Sequence, residues 1–75
     1  MKADYINPYE NTWVPNDFRQ DDRIYVRGWG ACTVVSHNCL HYQDLELAVV
    51  YSDGREGRVW PNLQWVALNW EDDDV

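Results

Sequence analysis

Apolar and polar residues alternate in four short runs through the middle of the chain. Arg23 to Arg27 sets Ile24 and Val26 on one side of a strand and Arg23, Tyr25 and Arg27 on the other. Ala31 to Ser36 repeats the period, with Cys32 and Val34 against Thr33 and Val35. Leu45 to Tyr51 places Leu45, Leu47, Val49 and Tyr51 on one face and Glu46, Ala48 and Val50 on the other. Glu56 to Trp60 forms a fourth run, ended by Pro61, which has no N–H to give a neighbouring strand. Gly28-Trp29-Gly30 turns the chain between the first two runs, and Ser52-Asp53-Gly54-Arg55 between the last two. Asp-Gly between alternating runs is a strong hairpin signal. His37 to Asp44 reads as a loop or a long twisted hairpin end. Pro61 to Gln64 suits a single 3₁₀ turn, and Trp65 to Leu68 a fifth short strand. The pattern predicts an all-β domain, a small five-stranded barrel over residues 22–70. Its core is drawn from Ile24, Val26, Val34, Leu47, Val49 and Val59.

The flanks follow neither period. Residues 1–21 hold Pro8, Pro15, Asn7, Asn11 and Asn16, yet also Tyr5, Ile6, Tyr9, Trp13, Val14 and Phe18. So many aromatics are uncommon in a disordered tail. The expectation is an irregular, aromatic-rich N-terminal arm packed on the barrel; the alternative is a strip that docks a partner. Residues 71–75, Glu71 to Val75, form an acidic C-terminal tail expected to stay solvated.

Seventy-five residues suit one domain, and five Trp and five Tyr enlarge what so short a chain can bury. Thirteen acidic residues against six basic ones leave a net charge of −7. That balance conflicts with direct nucleic-acid binding, which needs Lys and Arg to displace counterions, and fits a partner with a basic surface. No apolar run nears the ~20 residues of a membrane span. Met1 to Tyr5 lacks the apolar stretch of a signal peptide, so an intracellular location is expected, with Cys32 and Cys39 as reduced thiols.

Candidate chemistry is sparse. Cys32, His37, Cys39 and His41 are the metal-like set, but ligands in strict alternation lie too far apart along a strand to converge on one ion. No metal or cofactor is expected. Cys39 sits between two histidines without a geometry that would activate it, and so small a chain has little room for a water-excluding pocket. The expectation is that the protein is not an enzyme. The acidic loops, with Asp44, Glu46 and Asp53, and the Trp residues remain. Trp13, Trp60 and Trp65 are expected in the core or closing the barrel. Trp29, in a glycine turn, and Trp70, beside the acidic tail, are expected as contacts, because Trp is enriched at binding hot spots.

The segment Asp22 to Val66 resembles the SH3-like barrel group, in particular Tudor-type domains. The likeness is carried by Arg23-Ile24-Tyr25-Val26, the glycine turn with Trp29, Val49 to Gly54, and Val59 followed by Pro61 and Leu63. It implies the barrel fold and, in Tudor-type readers, an aromatic cage that holds methylated Lys or Arg and is closed by an acid. Trp29, Tyr51 and Asp53 match cage places. Arg55 stands where the cage has an aromatic, which leaves Tyr25 or Trp60 to complete it.

Two functions follow as expectations. The first is a protein-binding module that docks on a basic partner through acidic loops and exposed aromatics, such as a phage-type inhibitor of a nucleic-acid-binding enzyme. Its contact residues would be Trp29, Asp44, Glu46, Tyr51, Asp53 and Trp70. The second is a Tudor-like reader of a cationic peptide.

Overall fold

The structure, a computed structural model, describes residues 2–39 and 45–71, with the side chain of Cys39 left aside. It is all-β. The strands are β1 (Lys2–Ile6), β2 (Arg23–Val26), β3 (Gly30–Cys39), β4 (Leu45–Tyr51), β5 (Glu56–Val59) and β6 (Val66–Glu71). They form one antiparallel sheet in the order β1-β6-β2-β3-β4-β5. The sheet is not closed: β1 and β5 are its two edges.

One face of the sheet carries the core. Ile24, Val26, Cys32, Val34, Leu45, Leu47, Val49, Val59 and Val66 are buried together, and Ile6 and Tyr51 pack against them. All six expected core residues are among them. The period-2 pattern sorts these side chains because one face of an antiparallel sheet can be apolar while the other stays wet.

The N-terminal segment departs from expectation twice. Lys2–Ile6 is a strand, not irregular chain; it pairs with β6 through Lys2 opposite Glu71 and Ile6 opposite Val66. Five residues with charges at positions 2 and 4 show little strand period by themselves; β6 supplies the hydrogen bonds that define it. Beyond β1, a 3₁₀ turn spans Pro15–Asp17. Trp13 and Phe18 then reach the core, ring centroids 5.0 Å apart. The Asn62 side chain clamps this arm, accepting from the Trp13 N–H at 2.6 Å and donating to the Trp13 carbonyl at 3.1 Å.

The other strands sit close to their expected bounds. β3 is longer and takes in His37 to Cys39, because β4 offers partners as far as Leu45 opposite Cys39. Residues 40–44, with His41 and Asp44, lie outside the described residues. Pro61 to Gln64 makes one turn, with Leu63 and Gln64 N–H groups both donating to the Trp60 carbonyl. β6 runs on to Glu71, which the sequence pattern assigned to the tail; residues 72–75 are outside the described ones.

A register shift between Ala3/Tyr5 of β1 and Trp70/Ala67 of β6 shapes the outer face. The bulge brings Trp70 onto the same side as Ala67. Ala67, fully buried, lies opposite both Tyr5 and Tyr25. Tyr5 and Tyr25 meet across it at 6.4 Å, Tyr25 and Trp70 at 5.8 Å, and the Arg23 guanidinium lies 6.0 Å from the Trp70 ring. A second apolar cluster thus covers β1, β6 and β2 on the side away from the core.

Candidate functional site

The β2–β3 turn presents an indole. The Trp29 N–H donates to the Val26 carbonyl at 3.0 Å, closing a tight turn with Gly28 at φ 84°. A side chain at that position would be strained, so glycine is needed there. Trp29 projects with 60% of its surface exposed. Its ring meets Tyr51 at 6.2 Å with 30° between planes, within the range of favourable aromatic pairs.

Tyr51 is the last residue of β4 and shares its face with Leu47 and Val49. Its ring lies over Gly57 of β5: a Cβ on Gly57 would fall 2.6 Å from Tyr51 Cε2. The glycine leaves the space that the ring fills. Burial pushes the Tyr51 hydroxyl up from its ordinary value, Cys32 adds to the rise and Arg55 opposes it.

The β4–β5 turn supplies an ion pair to the same place. Asp53 accepts the Arg55 backbone N–H at 3.1 Å through Oδ1 and the Arg55 Nε at 2.5 Å through Oδ2. The backbone bond is the leading cause that holds the Asp53 carboxyl below the usual carboxylate range; the Arg55 side chain lowers it further, against some desolvation. The Arg55 guanidinium also lies 5.8 Å from the centre of the Tyr51 ring, within cation–π reach. Trp29 meets Tyr51, and Arg55 joins Tyr51 to Asp53, so the cation held between Tyr51 and Asp53 belongs to this chain. Neither Tyr25 nor Trp60 completes the group: Tyr25 lies in the outer-face cluster, and Trp60 follows the end of β5 that pairs with Leu47, away from Tyr51.

The other expected contacts lie elsewhere. Glu46 faces away from the core on β4 and pairs with Arg58 at 3.0 Å. Trp70 is half-buried against Tyr25 and Arg23, so it belongs to the outer-face cluster. Asp44 lies outside the described residues. Among the metal-like set, Cys32 is buried in the core and His37 is exposed farther along the same strand. His41 and the Cys39 side chain are outside the description. Cys32 and Cys39 stand seven residues apart on one strand, roughly 23 Å at 3.3 Å per residue, too far for a disulfide between them.

Two features escaped the sequence pattern. Arg27 stacks on Trp65 at 5.7 Å, and its N–H donates to the Trp65 carbonyl at 3.0 Å. This pair stands beside the Trp29 turn, and no spacing in the sequence links residues 27 and 65. Tyr9, at 85%, is exposed more than Trp29. The signal was present in Asn7-Pro8-Tyr9, a turn sequence with an aromatic at its corner.

Comparison with protein-family models, with curated proteins and with solved structures returned no match. The side chains themselves carry the functional argument. An exposed indole, a tyrosine face, a carboxylate and a guanidinium are recognition groups, and here they share one end of the sheet.

Proposed function

We propose that this chain is a non-enzymatic protein-binding module that docks on the basic surface of a partner, in the manner of an inhibitor of a nucleic-acid-binding enzyme. The observation that carries the reading is Trp29: a large aromatic left 60% exposed on a glycine turn and held against Tyr51. Exposing an indole costs solubility, and a fixed exposed aromatic is what binding hot spots use. The net charge of −7 favours a basic partner and would speed encounter with it. Glu46 and Asp53 are paired with arginines of this chain, so steering rests more on the other acids, such as Glu10, Glu56 and Glu71.

The strand path supports keeping the likeness to SH3-like barrels within this proposal. β2 to β5 form a meander, and β6 returns beside β2. A five-stranded barrel needs such a path; β1 is an added edge strand.

The second reading, a reader of cationic peptides, is favoured by one observation: the Arg55 guanidinium already lies on Tyr51 and against Asp53. A partner's cation would enter as Arg55 swings out, which its 66% exposure makes inexpensive.

Capture of partners from lysate of the producing cells tests both, with Trp29→Ala and Arg55→Ala as variants and melting curves as the check on folding. Docking on a basic surface predicts capture that Trp29→Ala abolishes and that weakens as salt rises. The cationic-peptide reading predicts stronger capture by Arg55→Ala, with less dependence on salt. Unchanged capture by folded Trp29→Ala rejects this site for both.

A further inference from the structure

The strand register gathers more than the Trp29 site at this end of the sheet. Ile6, Val66 and Val26 align across β1, β6 and β2, and Val26 pairs with Gly30. The chain therefore leaves β1 at the end where the β2–β3 turn lies. It enters a turn over residues 7–10, closed by the Glu10 N–H donating to the Asn7 carbonyl at 3.2 Å. The Asn7 side-chain oxygen accepts the Tyr9 N–H at 2.9 Å, and Pro8 is buried. A few residues on, Asn62 clamps the Trp13 backbone. The turn is fixed on both sides, and Tyr9 at its corner is the most exposed large apolar side chain among the described residues. A rigidly presented aromatic loses little conformational freedom on binding, which is why tyrosine serves well in recognition loops.

We infer that Tyr9 and Trp29 are two anchors of one interface, and that the partner surface they enter is lined by cationic groups. This deepens the protein-binding reading above and rests on it. The partner is argued from charge. Exposed Glu10 adjoins Tyr9, and exposed Glu56 begins β5 at the same end, on a chain of net charge −7. The arginines of this end are taken up within the chain, Arg55 by Asp53 and Arg27 on the Trp65 ring. A partner face carrying Lys and Arg complements the remaining acids.

Photo-crosslinking tests the inference. A benzophenone side chain is placed at Tyr9, at Trp29 and, as a control, at Val35, which is exposed at the bulge in β3. The three proteins are irradiated in lysate of the producing cells, with and without excess heparin as a polyanion competitor. The expected result is one partner joined from both Tyr9 and Trp29 and not from Val35, with the joined peptides on one face rich in Lys and Arg. Heparin should suppress both crosslinks. With that partner purified, Tyr9→Ala should weaken binding about tenfold or more, as the loss of an anchor does. Crosslinks from Trp29 alone would overturn the inference and leave the protein-binding reading standing, whereas joined peptides on an acidic face or crosslinks indifferent to heparin would overturn both. Absence of a crosslink from both positions would overturn the two together.

Discussion

Gly57 and Tyr51 show how one missing atom shapes a site. The ring occupies the space above Gly57, and Trp29 then leans on the ring. Gly57→Ala must displace Tyr51, since the added Cβ would fall 2.6 Å from its ring. The expected cost is about 1–2 kcal/mol, from overpacking set against the gain of removing a flexible glycine. A denaturant midpoint would measure it, and Trp29 fluorescence should change as its neighbour moves. Cys32 offers a pH test. Burial pushes its thiol from 9.0 up to about 11, opposed by nearby Arg23. The folded state therefore keeps this proton longer than the unfolded chain does. The stabilisation is complete below pH 9 and is lost as pH rises towards 11, a change on the order of 2–3 kcal/mol. Tyr51, also raised, adds loss of the same sign at higher pH. Urea midpoints at pH 8 and pH 10.5 should differ in the wild type and differ less in Cys32→Ala; equal slopes would reject the assignment. Asp53 acts at the acid end. Its lowered value gives stability present above the ordinary carboxylate range and lost as pH falls through the folded one.

At the scale of elements, β4 is the strand most of the core depends on. Leu47 lies between His37 of β3 and Val59 of β5, fully buried. Leu47→Ala should cost about 2–4 kcal/mol through lost transfer energy and a residual cavity, enough to lower the melting temperature sharply in so small a domain. An unchanged melting temperature would reject the register of β4. The arm makes a different prediction. Asn62→Ala removes a donor and an acceptor from the Trp13 backbone, worth about 1–3 kcal/mol for partly buried groups. The loss should be local: hydrogen exchange should quicken in the arm around Trp13 and Phe18 while β3 and β4 keep their protection. These elements differ in how well the sequence announced them. β4 was legible because seven alternating residues carry their own period. β1 was not, because Lys2 to Ile6 becomes a strand through pairing with β6, whose partners stand 60 to 69 residues away. The tight turns were legible from Gly28, Gly30 and Asp53-Gly54, whereas the bulge that turns Trp70 onto Tyr25 has no signature in Leu68-Asn69.

For the whole molecule, the distribution of charge matters more than its total. Four of the five arginines lie against aromatic rings or carboxylates: Arg23 on Trp70, Arg27 on Trp65, Arg55 with Tyr51 and Asp53, and Arg58 with Glu46. Each exposed pair contributes little to stability, about 0–1 kcal/mol, but it fixes where positive charge resides. The surplus acids then set the long-range field. Association with a basic partner should therefore slow as salt rises past the physiological range, where charges beyond about 8 Å are screened. Trp29→Ala should instead speed dissociation with little change in the salt dependence of association. Stopped-flow rates at two salt concentrations separate the effects. Association indifferent to salt would remove acidic steering from the account.

Composition and period by themselves determined the all-β class, the strand faces, the glycine turns and the six core positions. These are local properties, because alternation and turn chemistry act within a few residues of chain. Likewise local was the placing of Trp29 on a turn next to a hairpin ending in Tyr51 and Asp53. Tertiary structure decided what depends on distant partners. It made the arm a sheet edge, left the sheet open between β1 and β5, and gave Trp70 to a second apolar cluster. It put Arg55 on Tyr51, the place that the alternative, Tudor-like reading gives to a partner's cation, and brought the Tyr9 turn to the end that carries Trp29. Contacts between residues 27 and 65, or 5 and 25, are fixed by strand order and register. Those are set by the burial of the whole core at once, so no window of the sequence contains them.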